Sequence, residues 1–299
     1  MNLAAFTSVK PIEKDTWSMK WAFKILAKML ISRAPLPYGF WKLLGIFRHG
    51  QMDSTEYPAK IFNLHVSRAY PDGLPEDAVI LELGPGDSLA SALLGGAHGA
   101  AKTFLVDVGA FARRDIGLYR SMASQLQQRG IDTPDISDAV ELCDVLDRCN
   151  AQYLTDGLES LKSIPSQSVD FVWSHSVLEH VRYCEFEATL KELKRILKPG
   201  GLMSNNIDYQ DHLDYSLNNL RFSTKLWETP LFASSGFYTN RIPAVRMHKM
   251  FRDAGFEVLQ EEFGKWPSLP IPRKVIHRDF DQFTDDQLIN RTSHALLRA

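Results

Sequence analysis

The fold of this chain is decided by the stretch Val79-Ile80-Leu81-Glu82-Leu83-Gly84-Pro85-Gly86-Asp87-Ser88-Leu89-Ala90. Its first five residues are mostly branched and apolar, which is typical of a buried parallel strand. Gly84 and Gly86 have no Cβ, so the turn that follows can adopt unusual φ angles and lets a ligand touch the backbone. Residues 88–94 have the composition of a helix, whose N-terminus offers unpaired N–H groups. The stretch therefore predicts a strand, a ligand-binding turn and a helix.

A second apolar run, Thr103 to Val106, ends in Asp107. A carboxylate about 20 residues after such a glycine turn is suited to hold the two hydroxyls of a ribose. A dinucleotide fingerprint would have a third glycine where this chain has Leu89, and Glu82 and Asp87 would repel a pyrophosphate. The pattern therefore favours S-adenosylmethionine (SAM), which has no phosphate and carries an ammonium and a sulfonium.

Three later motifs extend the pattern. They are Tyr153-Leu154-Thr155-Asp156-Gly157-Leu158-Glu159-Ser160-Leu161, Ser168-Val169-Asp170-Phe171-Val172-Trp173-Ser174-His175-Ser176-Val177-Leu178-Glu179-His180-Val181 and Leu197-Lys198-Pro199-Gly200-Gly201. With these motifs in this order, the chain resembles the class I SAM-dependent methyltransferases over about residues 76–263. It also has a general resemblance to the methyltransferases of bacterial glycan and natural-product pathways. The resemblance implies an α/β fold with a doubly wound, seven-stranded, mostly parallel sheet, and SAM as the methyl donor.

The resemblance also implies which residues bind the cofactor. Asp156 stands where the family reads the adenine amino group, and Gly157 leaves room for the ring. Ser174 and His175 end the fourth strand, at the edge where an open α/β sheet binds its ligands. The predicted cofactor-binding residues are Glu82, Gly84, Pro85, Gly86, Asp87, Asp107, Asp156, Gly157, Ser174 and His175.

Methyl transfer to an alcohol requires that a proton be removed from the acceptor. His180 is the first candidate for this base, because imidazole titrates near neutral pH and the turn after strand four faces the site. His212 is the second candidate, with Asp208 as its orienting partner or as an alternative base, and His175 could serve instead. We therefore predict O-methylation of a sugar, a glycan-linked acceptor or a small natural product.

Two other functions stay open at this point. Gly84, Gly86 and Asp107 would also suit an NAD-dependent oxidoreductase, although Leu89 opposes it. A protein that binds SAM without turnover is the second alternative. Nucleic acid is not a predicted partner, because the chain has no motif for a flipped base and no basic stripe on its acidic core.

The first fifty residues differ from the rest in charge. They contain eight lysines and arginines but only two acidic residues, so their net charge is +6, against −8 for the remainder of a chain whose total is −2. Trp17 to Ile31 is predicted to be a basic amphipathic helix, and Tyr38 to Phe47 is a second apolar segment. They form either a peripheral contact with an anionic membrane or lipid-linked substrate, or a helical cap with solvated lysines.

We predict two parts in the chain. Residues 1–75 form an N-terminal helical cap, with a third helix over 57–70, and residues 76–299 form the SAM-binding domain. An insertion at about 209–242, after strand five, is rich in aromatic and amide side chains. It is either an acceptor pocket or a hydrophobic lid packed on the sheet.

Alternating strand and helix patterns continue through the second part. The predicted elements include helices from Asp115 to near Gly130, from Ser137-Asp138-Ala139-Val140-Glu141-Leu142 onward, over Glu185 to Leu197 and over Ala244 to Ala254, a turn at Leu197 to Gly201 before a strand over Leu202 to Ile207, and an antiparallel last strand over His294 to Arg298.

The composition is that of an ordinary globular protein. A chain of 299 residues with 44% hydrophobic side chains can bury a large core. Its three cysteines are odd in number and form no Cys-x-x-Cys pair, which favours a reducing compartment, the cytoplasm. No histidine or cysteine has the spacing of a metal site, so no metal is predicted.

Overall fold

The computed structural model describes Ala22, Ile25, Ser54 and residues 56–299. The strands are β1 (Val79–Leu83), β2 (Lys102–Val106), β3 (Ala151–Leu154), β4 (Val169–His175), β5 (Leu197–Asp208), β6 (Glu257–Lys265) and β7 (Asn290–Arg298). The α-helices are α1 (Glu56–Ala69), α2 (Ala90–Ala97), α3 (Ile116–Gln128), α4 (Leu142–Arg148), α5 (Leu158–Ser163), α6 (Tyr183–Ile196), α7 (Thr224–Trp227), α8 (Pro230–Ala233), α9 (Ala244–Asp253) and α10 (Asp285–Leu288).

The strands of the described residues form one seven-stranded sheet in the order β3-β2-β1-β4-β5-β7-β6. The pairs from β3 to β5 are parallel, and β7 is antiparallel to both β5 and β6. The predicted class I methyltransferase sheet, including its antiparallel strand β7, is confirmed. Because the strand order reverses between β1 and β4, the carboxyl ends of these two strands border the cleft where such sheets bind ligands.

Alternate residues of the strands feed two cores on opposite faces of the sheet. On one face, Phe171 and Trp173 pack with helix α1, whose Phe62 meets Trp173 edge to face at 5.4 Å between ring centroids. On the other face, Val172 and Met203 share a core with Phe186 of helix α6. Both faces are apolar, and the buried inner-strand hydroxyls of Ser174 and Ser204 are hydrogen-bonded inside the protein.

Two predicted element boundaries are wrong. The helix expected from Ser137 begins at Leu142, because the Asp144 carboxylate accepts the N–H groups of Val140 and Glu141 and so fixes the N-terminus there. The turn expected before strand five belongs to β5, which already pairs with Val169 at Leu197. Its register shifts before Leu202, so the glycines of this segment form an irregularity inside the strand.

The aromatic residues of the insertion pack against one another. Trp227 is fully buried and lies within 6.5 Å, between ring centroids, of Phe232, Phe237 and Tyr238. Ile25 is 8% exposed and belongs to the same cluster. These aromatic side chains therefore form a hydrophobic cluster of their own, to which Ile25 belongs.

The other calls on the N-terminal segments lie outside the described residues. The third predicted helix is confirmed as α1, whose buried Ile61, Phe62, His65 and Val66 recur at helical spacing. Among the described residues, none of the helices combines the length and apolar character needed to cross a bilayer.

We expect Phe62→Ala to destabilise the protein by about 3–5 kcal/mol, because the ring is 1% exposed and its loss leaves a cavity beside Trp173. Urea unfolding followed by tryptophan fluorescence measures the change. The exposed neighbour Asn63→Ala is the control and should change stability by less than about 0.5 kcal/mol. Equal stabilities of the two variants would show that α1 is not part of the domain core.

Candidate functional site

The turn after β1 has the backbone conformation that its glycines predict. Gly84 has φ +75° and Gly86 has φ +65°, both in the left-handed region that favours glycine. The Gly84 N–H donates to the Val106 carbonyl at 2.7 Å, which ties the turn to strand β2. A Cβ on Gly84 would stand 2.4 Å from Val177 Cγ2, so the turn also passes close to the loop after β4. Pro85 between the glycines is buried.

Asp107 lies at the end of β2 and is 9% exposed. Its Oδ2 accepts the Gly86 N–H at 3.0 Å, and its Oδ1 accepts the Val108 N–H at 2.7 Å. Its carbonyl accepts the Gly157 N–H at 2.8 Å, which places the loop after β3 beside the glycine turn. The structure thus brings Gly86, Asp107 and Gly157, three residues predicted for the cofactor, to one point of the sheet edge.

An apolar side chain that the sequence analysis missed completes this corner. Val108 is 76% exposed, and its Cγ1 lies 3.0 Å from where a Cβ on Gly157 would stand. The neighbouring Asp156 is exposed, with its backbone N–H bound to Ser160 Oγ. An exposed branched residue beside a carboxylate and a glycine offers a flat ring an apolar contact. The sequence signal was a valine directly after a strand-ending acid.

The two other acids predicted for the cofactor are buried. Glu82 is 5% exposed, and its Oε2 has no hydrogen-bond partner within the described residues. Burial raises the pKa of Glu82 to about 7, and the negative charge of Asp107 adds to the shift. Asp87 is 4% exposed, and its carbonyl accepts the Arg113 N–H at 3.0 Å. Side-chain hydrogen bonding from Ser91 and Trp173 partly opposes the rise in the pKa of Glu82.

Ser174 and His175 point to opposite faces of the sheet. Ser174 is fully buried, and its hydroxyl donates to Asn205 Oδ1 at 2.8 Å. His175 Nδ1 lies 3.2 Å from Nε2 of His65 on helix α1. Both side chains thus have partners inside the protein, and their predicted cofactor roles stay predictions.

A buried histidine chain, defined as His175, His65, Ser204 and His294, runs under helix α1. His65 Nδ1 lies 2.8 Å from Ser204 Oγ, which lies 3.1 Å from His294 Nε2. Burial lowers the pKa of His175 to about 4 and that of His294 to about 3, with the charge of Arg68 adding to both shifts. These rings are therefore neutral at neutral pH.

The candidate bases lie together beyond β4 and β5. The rings of His180 and His212 meet at 4.8 Å between centroids, and His180 Nδ1 lies 3.0 Å from the Tyr238 carbonyl. A carbonyl only accepts hydrogen bonds, so Nδ1 carries the proton and Nε2 of the neutral ring holds a lone pair. His180 also lies close enough to Asp208 to act on the pKa of that carboxyl, which it lowers. The structure thus brings the three predicted catalytic residues together.

Two carboxyl groups stand beside these histidines. Burial raises the pKa of Asp208, although Gln210 donates to its Oδ1 through the backbone at 2.9 Å and the side chain at 3.0 Å. Glu179, which the sequence analysis did not select, is 2% exposed, and its Oε1 accepts the Asp208 N–H at 3.3 Å. Burial and the charge of Asp208 raise the pKa of Glu179 well above its usual range. Its sequence signal was its place directly before His180.

Within the described part of the chain, no three histidine, cysteine or acidic side chains lie close enough together to hold a metal ion.

Comparison with protein families places part of the chain in a known domain family. Residues 117–204, from α3 into β5, match the family model described as a methyltransferase domain. This segment includes β4 and the turn that carries His180. Among proteins with curated descriptions, none matches the chain significantly.

Three solved structures have a similar chain trace. A SAM-dependent methyltransferase from Methanosarcina mazei is 18% identical with a TM-score of 0.46, over 76% of this chain and 95% of that chain. A SAM-dependent methyltransferase from Mesorhizobium loti is 15% identical with a TM-score of 0.43, over 83% and 100%. A third, from Archaeoglobus fulgidus, is 14% identical with a TM-score of 0.45, over 82% and 95%.

Residues 117–204 thus carry a methyltransferase domain, and the sheet has the strand order of the class I fold. The residues at the sheet edge fit SAM. The glycine turn leaves its backbone open to a ligand, Asp107 is fixed beside it, and Glu82 keeps a buried oxygen without a partner among the described residues. SAM is therefore the cofactor whose chemistry this edge of the sheet can serve.

The histidine chain predicts a loss of stability in mild acid. The folded protein keeps His175 and His294 neutral, whereas the unfolded chain protonates histidine below a pKa of 6.5. Their contribution to stability is therefore fully present above pH 6.5 and is lost as the pH falls from 6.5 towards 4. Urea unfolding at several pH values should show a shallower decline for His294→Gln than for the wild type. Parallel declines would mean that His294 does not control acid sensitivity.

Proposed function

We propose that the protein transfers the methyl group of SAM to an oxygen atom of an alcohol, in a sugar, a glycan-linked acceptor or a small natural product. The observation that carries this proposal is the arrangement of His180, whose Nδ1 faces the Tyr238 carbonyl and whose ring acts electrostatically on Asp208 at the carboxyl edge of the sheet. An alcohol acceptor needs a base, because its oxygen must lose a proton during transfer.

The cofactor end of the site is assigned to residues around the glycine turn. We assign the Asp107 carboxylate to the ribose hydroxyls, the Glu82 oxygen to the ammonium group and Val108 to the face of the adenine ring. When bound, SAM would supply an electrophilic methyl group on its sulfonium, with S-adenosylhomocysteine as the leaving group. The protein then has to align the acceptor with the S–CH₃ bond and keep water out of the site.

The acceptor end is assigned to the turn after β4. His180 Nε2 takes the proton of the acceptor hydroxyl, and the ring becomes an imidazolium. The Tyr238 carbonyl holds the Nδ1–H, so the ring keeps its orientation through the transfer. The Asp208 carboxylate stabilises the positive ring, because each favours the charged form of the other.

We expect Asp107→Ala to weaken SAM binding at least about tenfold, because the ribose loses a charged hydrogen-bond acceptor and the Gly86 N–H loses its partner. Calorimetric titration with SAM and, separately, with NAD measures the effect. Asp253→Ala removes a surface carboxylate that pairs with Lys249 and should bind SAM like the wild type. Saturable binding of NAD without binding of SAM would overturn the proposal.

His180→Ala should lower the rate of methyl transfer by about 10²–10⁴-fold and leave SAM affinity unchanged, because a general base contributes on that scale. The assay measures transfer of radiolabelled methyl groups to a panel of sugars and small alcohols. His212→Ala is the matched comparison: it removes the ring packed on His180, at 4.8 Å, but not the proposed base. A larger rate loss for His212→Ala would reassign the base to His212.

A further inference from the structure

Residues other than glycine adopt a left-handed backbone conformation at six positions in the described part of the chain. Three of these positions lie in turns shortly before β1, β3 and β4, at the amino edge of the sheet, and two lie in the insertion: Asp77, Asn150, Gln167, Tyr215 and Arg241. The sixth is Ser176, with φ +57°, which directly follows β4. Of the six, it is therefore the one at the carboxyl end of an inner strand.

Ser176 lies at the point where the strand order of the sheet reverses. On one side, its N–H donates to the Asn206 carbonyl of β5 at 2.8 Å. On the other side, the next residue reaches the glycine turn after β1, since a Cβ on Gly84 would stand 2.4 Å from Val177 Cγ2. Ligands of open α/β sheets bind at this point. Ser176 is therefore placed between the proposed cofactor turn and the acceptor end of the site.

The insertion holds the turn that begins at Ser176. Asn240 is buried, and its side-chain amide donates to the carbonyls of Leu178 and Val181 at 2.8 and 3.1 Å. Its backbone N–H donates to the Glu179 carbonyl at 2.7 Å. A strained residue persists only where its surroundings fix it, and these bonds fix the turn that also carries the proposed base.

Glycine would fit this position at a lower cost, because it has no Cβ to strain a left-handed backbone. The side chain of Ser176 is exposed, so it is not needed to fill the core. Its hydroxyl makes no hydrogen bond to another described residue. A strained residue with an unused polar group, at the edge of the sheet where ligands bind, indicates a role towards a ligand.

We propose that the Ser176 hydroxyl binds the acceptor oxygen that receives the methyl group; this assignment rests on the proposed function. An alcohol oxygen has one proton and two lone pairs. The proton goes to His180 Nε2, and one lone pair forms the new O–C bond as the S–C bond breaks and its electron pair stays on sulfur. The second lone pair accepts the Ser176 O–H. This bond holds the acceptor oxygen in line for transfer, and Ser176 keeps its own proton throughout.

Two variants separate the hydroxyl from the backbone conformation. Ser176→Ala and Ser176→Gly both remove the hydroxyl, but only glycine relieves the left-handed backbone. Each should lower kcat for methyl transfer by about 10- to 100-fold and leave the affinity for S-adenosylhomocysteine unchanged, because the acceptor loses its alignment. The assay measures transfer from radiolabelled SAM to methyl α-D-glucopyranoside, myo-inositol and catechol, and calorimetry measures the affinity.

Gln167→Gly is the matched control at the opposite edge of the sheet. Gln167 shares the left-handed φ, at +52°, the exposed side chain and an N–H bound to a carbonyl, that of Arg195 at 2.9 Å. We expect Gln167→Gly and Ser176→Gly both to unfold thermally at or above the wild-type temperature, and Gln167→Gly to keep the wild-type kcat. If one Ser176 variant does not fold, the other decides.

Wild-type kcat in folded Ser176→Ala, or a loss of kcat confined to Ser176→Gly, would overturn the proposal, because the hydroxyl would then have no part in transfer. A loss of S-adenosylhomocysteine affinity as large as the loss of kcat would also overturn it, since the hydroxyl would then serve the cofactor.

The same assay separates this inference from the proposed function. If the wild-type protein methylates an acceptor and both variants are as active as the wild type, only the assignment of Ser176 is wrong. If the wild-type protein binds S-adenosylhomocysteine but methylates none of the three acceptors, the proposed function and the assignment of Ser176 fail together.

Discussion

Asp107 joins the carboxyl ends of three neighbouring strands. Its side chain accepts the N–H groups of Gly86 and Val108, its own N–H donates to Leu154, and its carbonyl accepts the Gly157 N–H. These bonds connect the loops after β1, β2 and β3 through one buried residue. The cofactor corner depends on this arrangement together with the bond from the Gly84 N–H to the Val106 carbonyl, which also ties the first loop to β2.

The residues of this corner could be predicted from sequence because their signals are local. A buried strand, two glycines and a strand-ending acid occupy short windows, and each dictates its own backbone conformation. Other outcomes depend on residues far apart in the chain. Ser174 pairs with Asn205 only because β4 and β5 adopt one register, which no local pattern reveals.

The acceptor side was less predictable for a related reason. Aromatic composition alone does not distinguish a core from a pocket lining, and the side chains around Trp227 form a core. A small cavity beside Asp208 is lined instead by residues such as Glu179 and Asn290, which lie more than one hundred positions apart. Only the pairing of β7 with β5 brings Asn290 to the edge where β4 ends.

The bond between His180 and Tyr238 has a consequence for how this protein can change over evolution. The atom that orients the imidazole is a backbone carbonyl, and every amino acid at position 238 would supply one. Side chains of the insertion can therefore be replaced, and substrate preference altered, while the ring keeps its tautomer. The orientation of the ring depends on the path of the main chain through the insertion, so an insertion or deletion near position 238 would displace the carbonyl that holds the ring.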